Sequence, residues 1–182
     1  MARCQTTESG VRMELTDGQS LKAELMLVAV GRGPQTSDLG YQEAGVELDD
    51  GFVRVNERLL TSVPGVYAVG DLVRGLQLAH RGFAHGIFVA EEIAYQAGVL
   101  EQAPMPIIDA DVPRVTYCYP EIASVGLSED EARTRFGDAA TFTYDLAGNG
   151  KSQILKTRGF VKLVRQPSGP IVGVHMIGAR VS

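Results

Sequence analysis

Thr61-Ser62-Val63-Pro64-Gly65-Val66-Tyr67-Ala68-Val69-Gly70-Asp71 is the stretch whose reading decides the fold. Gly65 to Val69 reads as a short buried strand. An apolar run of this length, closed by Gly-Asp, belongs to a sheet covered on both faces, as in α/β proteins. In such open sheets ligands bind beyond the carboxyl ends of the strands, and this strand delivers a carboxylate there. Gly70 carries no side chain, so the backbone can approach a ligand closely. Asp71 can accept hydrogen bonds from a hydroxyl-bearing ligand, or it can cap a following helix. The residues alone leave both roles open.

A helix is expected from about Leu78 to Ala97. Phe83, Ile87, Ala90, Ala94 and Ala97 recur at spacings of four and three and share one face. That face, rich in alanine, is expected to pack against a sheet or a ligand, and Gly98 is a natural stop. The helix amino terminus offers free N–H groups and the positive end of the dipole. Upstream, Gly45 to Leu48 and Phe52 to Val55 flank the turn Asp49-Asp50-Gly51. Leu25-Met26-Leu27-Val28-Ala29-Val30 is a second candidate buried strand, broken by Gly31-Arg32-Gly33-Pro34. Before it, Val11, Met13 and Leu15 alternate with polar residues. They are followed by Asp17-Gly18 and the alternating Leu21, Ala23 and Leu25, a hairpin pattern.

Downstream, Ala103-Pro104-Met105-Pro106 reads as a linker, after which the texture changes. Val112 to Tyr119, Ile122 to Val125, Ala140 to Tyr144, Phe160 to Arg165 and Ile171 to Ile177 are strand candidates. Ser128-Glu129-Asp130-Glu131 is a capping box that starts a short helix ending near Gly137. Gly148-Asn149-Gly150 and Pro167-Ser168-Gly169-Pro170 read as turns. This region is expected to be an antiparallel sheet with helical cover.

The composition narrows the function classes. Hydrophobic residues make up 45% and charged residues 21% of the 182 positions, a globular balance. The formal charge is −5, with Lys and Arg scattered, so no basic footprint for nucleic acid is expected. No apolar run is long enough to span a bilayer. The opening MARCQTTESG lacks the apolar core of a secretory signal. A soluble cytoplasmic protein without a membrane partner is therefore expected. Cys4 and Cys118 form no CxxC or CxxxxC pair, so neither a disulfide framework nor a redox pair is read here. Cys118 is expected to be a small buried side chain. The three His form no cluster, and no metal site is expected.

The eleven residues from Thr61 to Asp71 resemble the second FAD fingerprint of the flavin-dependent pyridine-nucleotide disulfide oxidoreductases. The resemblance implies that Asp71, beside Gly70, holds the ribityl chain of FAD. Leu76-Gln77-Leu78-Ala79-His80 resembles the family segment whose backbone touches the flavin pyrimidine ring at a helix amino terminus. Gln77 stands where many members carry Met, and the implied contacts of Gln77, Leu78, Ala79 and His80 run through the backbone. Leu27 to Pro34 resembles the strand that leaves the NAD domain, which implies that Gly31 lies close to bound NAD. Val112 to Glu129, Ala147 to Ser152 and Val174 to Gly178 resemble the interface domain of the dihydrolipoamide dehydrogenase branch. Within that branch His175 reads as structural.

The implied fold is α/β plus α+β: a partial doubly wound FAD/NAD(P)-binding domain, then an incomplete antiparallel dimerisation domain. The expected divisions are 1–34 (end of the NAD-binding domain), 35–103 (second segment of the FAD-binding domain) and 104–182 (dimerisation domain). The implied activity is oxidation of dihydrolipoamide, with electrons passing through FAD to NAD. The implied partners are a second copy, through 104–182, and the lipoyl-bearing acyltransferase of 2-oxo acid dehydrogenase complexes. Mercuric reductase, soluble transhydrogenase and a non-catalytic dimerisation fragment remain alternatives.

The sequence contains no G-x-G-x-x-G, no CxxxxC pair and no His-Pro motif with its partner Glu. Met1 opens inside the expected NAD-domain sheet, and only five residues follow Ile177 to cover a strand. The sequence is therefore expected to be a carboxy-proximal part of a longer chain. It is expected to have no catalytic residues of its own, and to show exposed apolar edges.

Overall fold

The computed structural model describes residues 3–182. The expectation that the chain enters a nucleotide-binding sheet at Met1 lies outside the described residues. The chain forms two compact units, residues 1–33 and 34–182.

In the first unit, β1 (Arg3–Thr7), β2 (Gly10–Glu14) and β3 (Ser20–Ala23) form an antiparallel sheet in the order β1-β2-β3. The β2–β3 hairpin is the one its alternation and Asp17-Gly18 announced, with Met13 opposite Leu21. β1 adds a strand that the sequence reading missed. The expected strand from Leu25 to Val30 does not form, and Leu25, Leu27 and Val30 are 87%, 90% and 91% exposed. A strand apolar on both faces is stable only between neighbours and under cover. Among the described residues nothing pairs with it.

The second unit opens with a small hairpin, β4 (Leu48–Asp49) and β5 (Phe52–Val53). Val46, Val53, Leu59, Ala68, Val73 and Phe88 form one buried cluster. Gly65 to Val69, expected as a buried strand, reaches only an isolated bridge between Leu60 and Tyr67. Ala68 is buried, but Val66 is 42% exposed. The main helix, α1 (Ala79–Gln96), begins and ends within a residue of expectation.

Its buried face is not the expected one. Arg81, His85, Phe88 and Glu92 are buried, while Phe83 and Ile87 are 74% and 62% exposed. Both stripes run at helical spacing. They are offset by two residues, about 200° around the helix, so they lie on opposite sides. The polar stripe goes inward because each of its polar members has a partner there. Arg81 meets Asp109, His85 meets the Gly70 N–H, and Glu92 meets Arg58. Among the described residues no buried side-chain polar atom lacks a hydrogen bond, as the cost of an orphaned buried group requires.

The hydrogen bond from Arg58 holds the Glu92 carboxyl below the usual glutamate range, against the opposing effect of burial. A lowered folded value gives stability that is complete above the ordinary value of 4.5 and is lost as pH falls through the folded one. The melting temperature of the wild type should therefore fall on acidification by more than that of Glu92→Gln. Parallel pH profiles for the two proteins would refute this.

After the one-turn helix Asp109–Asp111 comes a five-stranded antiparallel sheet. Its strands are β6 (Arg114–Thr116), β7 (Glu121–Gly126), β8 (Ala140–Asp145), β9 (Phe160–Arg165) and β10 (Ile171–Gly178), in the order β6-β7-β10-β9-β8. The central strand β10 sets Val174 opposite Val125 on one side and Leu163 on the other. The first expected strand shortens to Arg114–Thr116. Cys118, expected to be buried, is exposed in the turn beyond it, its thiol against the Thr116 and Pro120 carbonyls.

The capping box forms as read. Ser128 Oγ accepts from the Glu131 N–H, and Glu131 accepts from the Ser128 N–H at 2.8 Å, starting α2 (Glu129–Phe136). Gly137 closes α2 in the left-handed conformation. Lys162 of β9 ties down its first turn through Glu129 at 2.6 Å. Ser128→Ala should lower stability by about 1 kcal/mol, measured by urea unfolding. The sequence reading took Gly148-Asn149-Gly150 as a plain turn. It instead starts a short helix, α3 (Gly150–Leu155), capped by the Asn149 side chain.

Candidate functional site

The segment from Gly70 to Ala79 joins the end of the Tyr67–Val69 stretch to α1. Gly70 has φ +74°, where L side chains rarely go. A Cβ there would lie 3.8 Å from Gly82 Cα, so this turn and the first turn of α1 approach closely at two glycines. Gly70 to Leu72 form a single 3-10 turn, closed by the Val73 N–H on the Gly70 carbonyl at 3.1 Å.

Asp71 sits on that turn, exposed. Its backbone carbonyl accepts from Gln77 Nε2 at 3.4 Å, which folds Gln77 back over the turn. Among the described residues its carboxylate accepts no hydrogen bond and does not cap α1. Leu78 stands at the N-cap with extended backbone and no side-chain cap, so among the described residues the first N–H groups of an 18-residue helix are left unbonded. Ala79 and His80 open the helix. The His80 ring is committed to the Pro113 carbonyl, at 2.7 Å from Nε2.

Gly70, Asp71, Gln77, Leu78, Ala79 and His80 are thus brought together on one turn and one helix start. Gly31, the remaining expected site residue, belongs to the first unit, where it is exposed with φ +112°.

Sequence reasoning missed what holds the turn in place. Arg81, 4% exposed, donates from Nε to Asp109 Oδ1 at 2.6 Å and from Nη2 to the Arg74 carbonyl at 3.0 Å. The other Asp109 oxygen accepts the Leu76 N–H at 3.4 Å. His85 Nδ1 accepts the Gly70 N–H at 3.3 Å. Burial first, and then the Arg81 charge, lower the pKa of His85 below its ordinary value, while Asp109 opposes. A cleft of about 270 Å³ lies against the outer side, lined in part by Gly75, Leu76, Asp109, Arg114 and Glu131. A polar stripe at positions 81, 85 and 92 reads as a solvated helix face until its partners are in view. His175, read as structural, is half-buried with Nε2 at 2.9 Å from the Leu127 carbonyl.

The arrangement suits a flavin nucleotide on the ribityl and ring side. It offers an unengaged carboxylate to hydroxyls, a glycine without side-chain bulk beside it, and unbonded N–H groups with a positive helix end for a ring that gains negative charge. No pyrophosphate-binding glycine loop lies within these residues.

Comparison with known proteins gives the family. Residues 2–86 match the model of the pyridine nucleotide-disulphide oxidoreductases, and residues 112–182 match that family's dimerisation domain. A dihydrolipoyl dehydrogenase of Bacillus subtilis is 38% identical over 163 residues, covering 88% of this chain and 34% of its own length. One from Chlorobaculum tepidum is 38% identical over 178 residues, covering 94% of this chain and 37% of its own length. The crystal structure of LpdA from Mycobacterium tuberculosis superposes with a TM-score of 0.81 at 28% identity, over 97% of this chain and 38% of that one. The chain spans about a third of the length of the curated relatives it matches. The two family models together match well over half of the residues, and the first of them includes the turn and the start of the helix just described. The chain belongs to the pyridine nucleotide-disulphide oxidoreductase family, whose members use FAD and NAD, and it carries part of the nucleotide-binding domain and a dimerisation domain.

Proposed function

We propose that this chain is the carboxy-proximal part of a dihydrolipoyl dehydrogenase, a flavoprotein that oxidises dihydrolipoamide to lipoamide and passes the electrons through FAD to NAD. The observation that carries this is the turn and helix start from Gly70 to His80, with its unengaged Asp71 carboxylate and uncapped N–H groups. The curated relatives' name supports the choice of substrate.

In this reading residues 1–34 end the NAD-binding domain, 35–103 are the second segment of the FAD-binding domain, and 104–182 form the dimerisation domain. Asp71 binds a ribityl hydroxyl, and Gly70 lets the cofactor approach. The backbone of Gln77, Leu78, Ala79 and His80 faces the flavin ring, with the dipole of α1 favouring negative charge there. Gly31 lies beside NAD. Bound FAD supplies the two-electron chemistry; these residues bind and orient it.

A second copy docks through 104–182, and the lipoyl-bearing acyltransferase of a 2-oxo acid dehydrogenase complex is the partner, in the cytoplasm. Cys4 and Cys118 lie far apart in sequence and are both free thiols, so these residues alone carry no redox pair. That favours, for the isolated chain, a second reading as a binding and association module.

The test is to express the protein from its own gene, measure its FAD content, and assay NAD reduction with dihydrolipoamide. Bound FAD with turnover supports the dehydrogenase. Bound FAD without turnover supports the association module. A protein that takes up no FAD overturns the dehydrogenase, and one that is also monomeric overturns the association module.

A further inference from the structure

We propose that His85 is a positioning residue for the cofactor: through unprotonated Nδ1 it holds the Gly70 N–H and, with Arg81 and Asp109, fixes the turn that presents Asp71 and the start of α1. That a flavin is what the turn receives rests on the function proposed above; the clamp itself is a property of the chain.

The clamp grips the turn at both ends and in the middle. At one end His85 Nδ1 takes the Gly70 N–H at 3.3 Å. In the middle the Arg81 guanidinium reaches the Val73 and Arg74 carbonyls at 3.5 and 3.0 Å. Toward the other end Asp109, bonded to Arg81 Nε at 2.6 Å, takes the Leu76 N–H at 3.4 Å. The backbone passes directly over the ion pair: a Cβ at Gly75 would collide with both the Arg81 guanidinium and the Asp109 carboxylate. Arg81 and His85 are 4% and 1% exposed, so water competes little for these bonds.

The chemistry makes one member conditional. Nδ1 can accept only while it carries no proton. Once both ring nitrogens are protonated, the ring must give up the Gly70 N–H and hold a buried positive charge beside Arg81. The charged groups that act on the ring are Arg81, one turn earlier on α1, and Asp109, from the turn packed against it. The Gly70 turn presents it only a backbone N–H. Burial and Arg81 disfavour the charged ring more than Asp109 favours it, so the clamp stays closed at neutral pH and opens below the ordinary histidine range. Asp71, next in sequence to Gly70, moves with the turn.

The test uses the whole chain, isotope-labelled and without added flavin, and reads amide hydrogen-exchange protection at Gly70 and Leu76 against pH. The His85 ring is titrated by its own resonances. Wild-type protection at Gly70 should fall as the ring protonates. His85→Asn places an oxygen near the Nδ1 position, so it should keep the protection and make it independent of pH. His85→Leu should expose Gly70 about fivefold more than the wild type whose ring is neutral, with no dependence on pH. Amides of Ala123 and Val164, in the five-stranded sheet, report whether the fold persists. If His85→Leu leaves Gly70 as protected as in the wild type, or if Gly70 ignores the ring titration, the proposal fails. It also fails if the sheet amides lose protection together with Gly70, because His85 is then a packing residue only. With no flavin present, the result does not depend on FAD binding. A chain that keeps the clamp but takes up no FAD overturns the proposed function and leaves the clamp standing as a feature of the turn.

Discussion

Replacing Asp71 with alanine is expected to weaken FAD binding about tenfold to a hundredfold. A hydrogen bond to a charged group contributes about 1.5–3 kcal/mol, and each 1.4 kcal/mol is a tenfold change in affinity. Among the described residues the carboxylate engages nothing, so under the proposed function its loss removes a ligand contact and no structural one. Flavin-free protein should therefore melt at the wild-type temperature, while a flavin fluorescence titration shows the weaker binding. Asp71→Asn keeps an acceptor oxygen and should lose less than Asp71→Ala. Equal FAD affinity in Asp71→Ala and wild type would remove Asp71 from the site. A large fall in melting temperature would instead make it a structural residue.

Phe88→Ala is expected to destabilise the second unit by about 3–5 kcal/mol, the range for deleting a buried aromatic side chain. Phe88 is 2% exposed among Val46, Val53, Leu59, Ala68 and Val73, with the Arg58 guanidinium 4.9 Å from its ring centroid. Ile87, its neighbour in sequence, points the other way and is 62% exposed, so Ile87→Ala should change stability by no more than about 0.5 kcal/mol. The pair decides which face of α1 is the inner one. Unfolding followed by tyrosine fluorescence suits a chain that has six Tyr and no Trp. Equal losses from the two substitutions, or a larger loss from Ile87→Ala, would return the inner face to the stripe that periodicity alone selects.

That contrast also explains the exposed apolar surface. Phe83 and Ile87 on α1 and the run Leu25 to Val30 have the composition of buried elements, yet they stand open among the described residues. Burial needs a second surface, and composition records only that one is wanted. Side chains this exposed contribute little to the stability of the chain as it stands. The core rests on the small cluster around Phe88 and on the five-stranded sheet with α2, where Val164 of β9 and Ala132 of α2 are fully buried.

By itself the sequence determined whatever local chemistry settles. The Ser128–Glu131 box placed α2, because the cap and its reciprocal carboxylate lie within one turn. Asp17-Gly18 placed the first hairpin, and Gly98 stopped α1 within a residue of its observed end. Ile171 to Ile177 and Phe160 to Arg165 were legible as strands, as was the Gly70-Asp71 turn. The tertiary structure alone decided which face of α1 turns inward, because two stripes of equal period compete and only the partners Asp109, Arg58 and the Gly70 N–H make the polar one the cheaper to bury. It alone denied strand structure to Leu25–Val30, since a strand is a relation between segments and no property of one segment supplies its neighbour. It alone revealed the clamp, because Asp109 lies 28 residues from Arg81 along the chain and meets it only after folding.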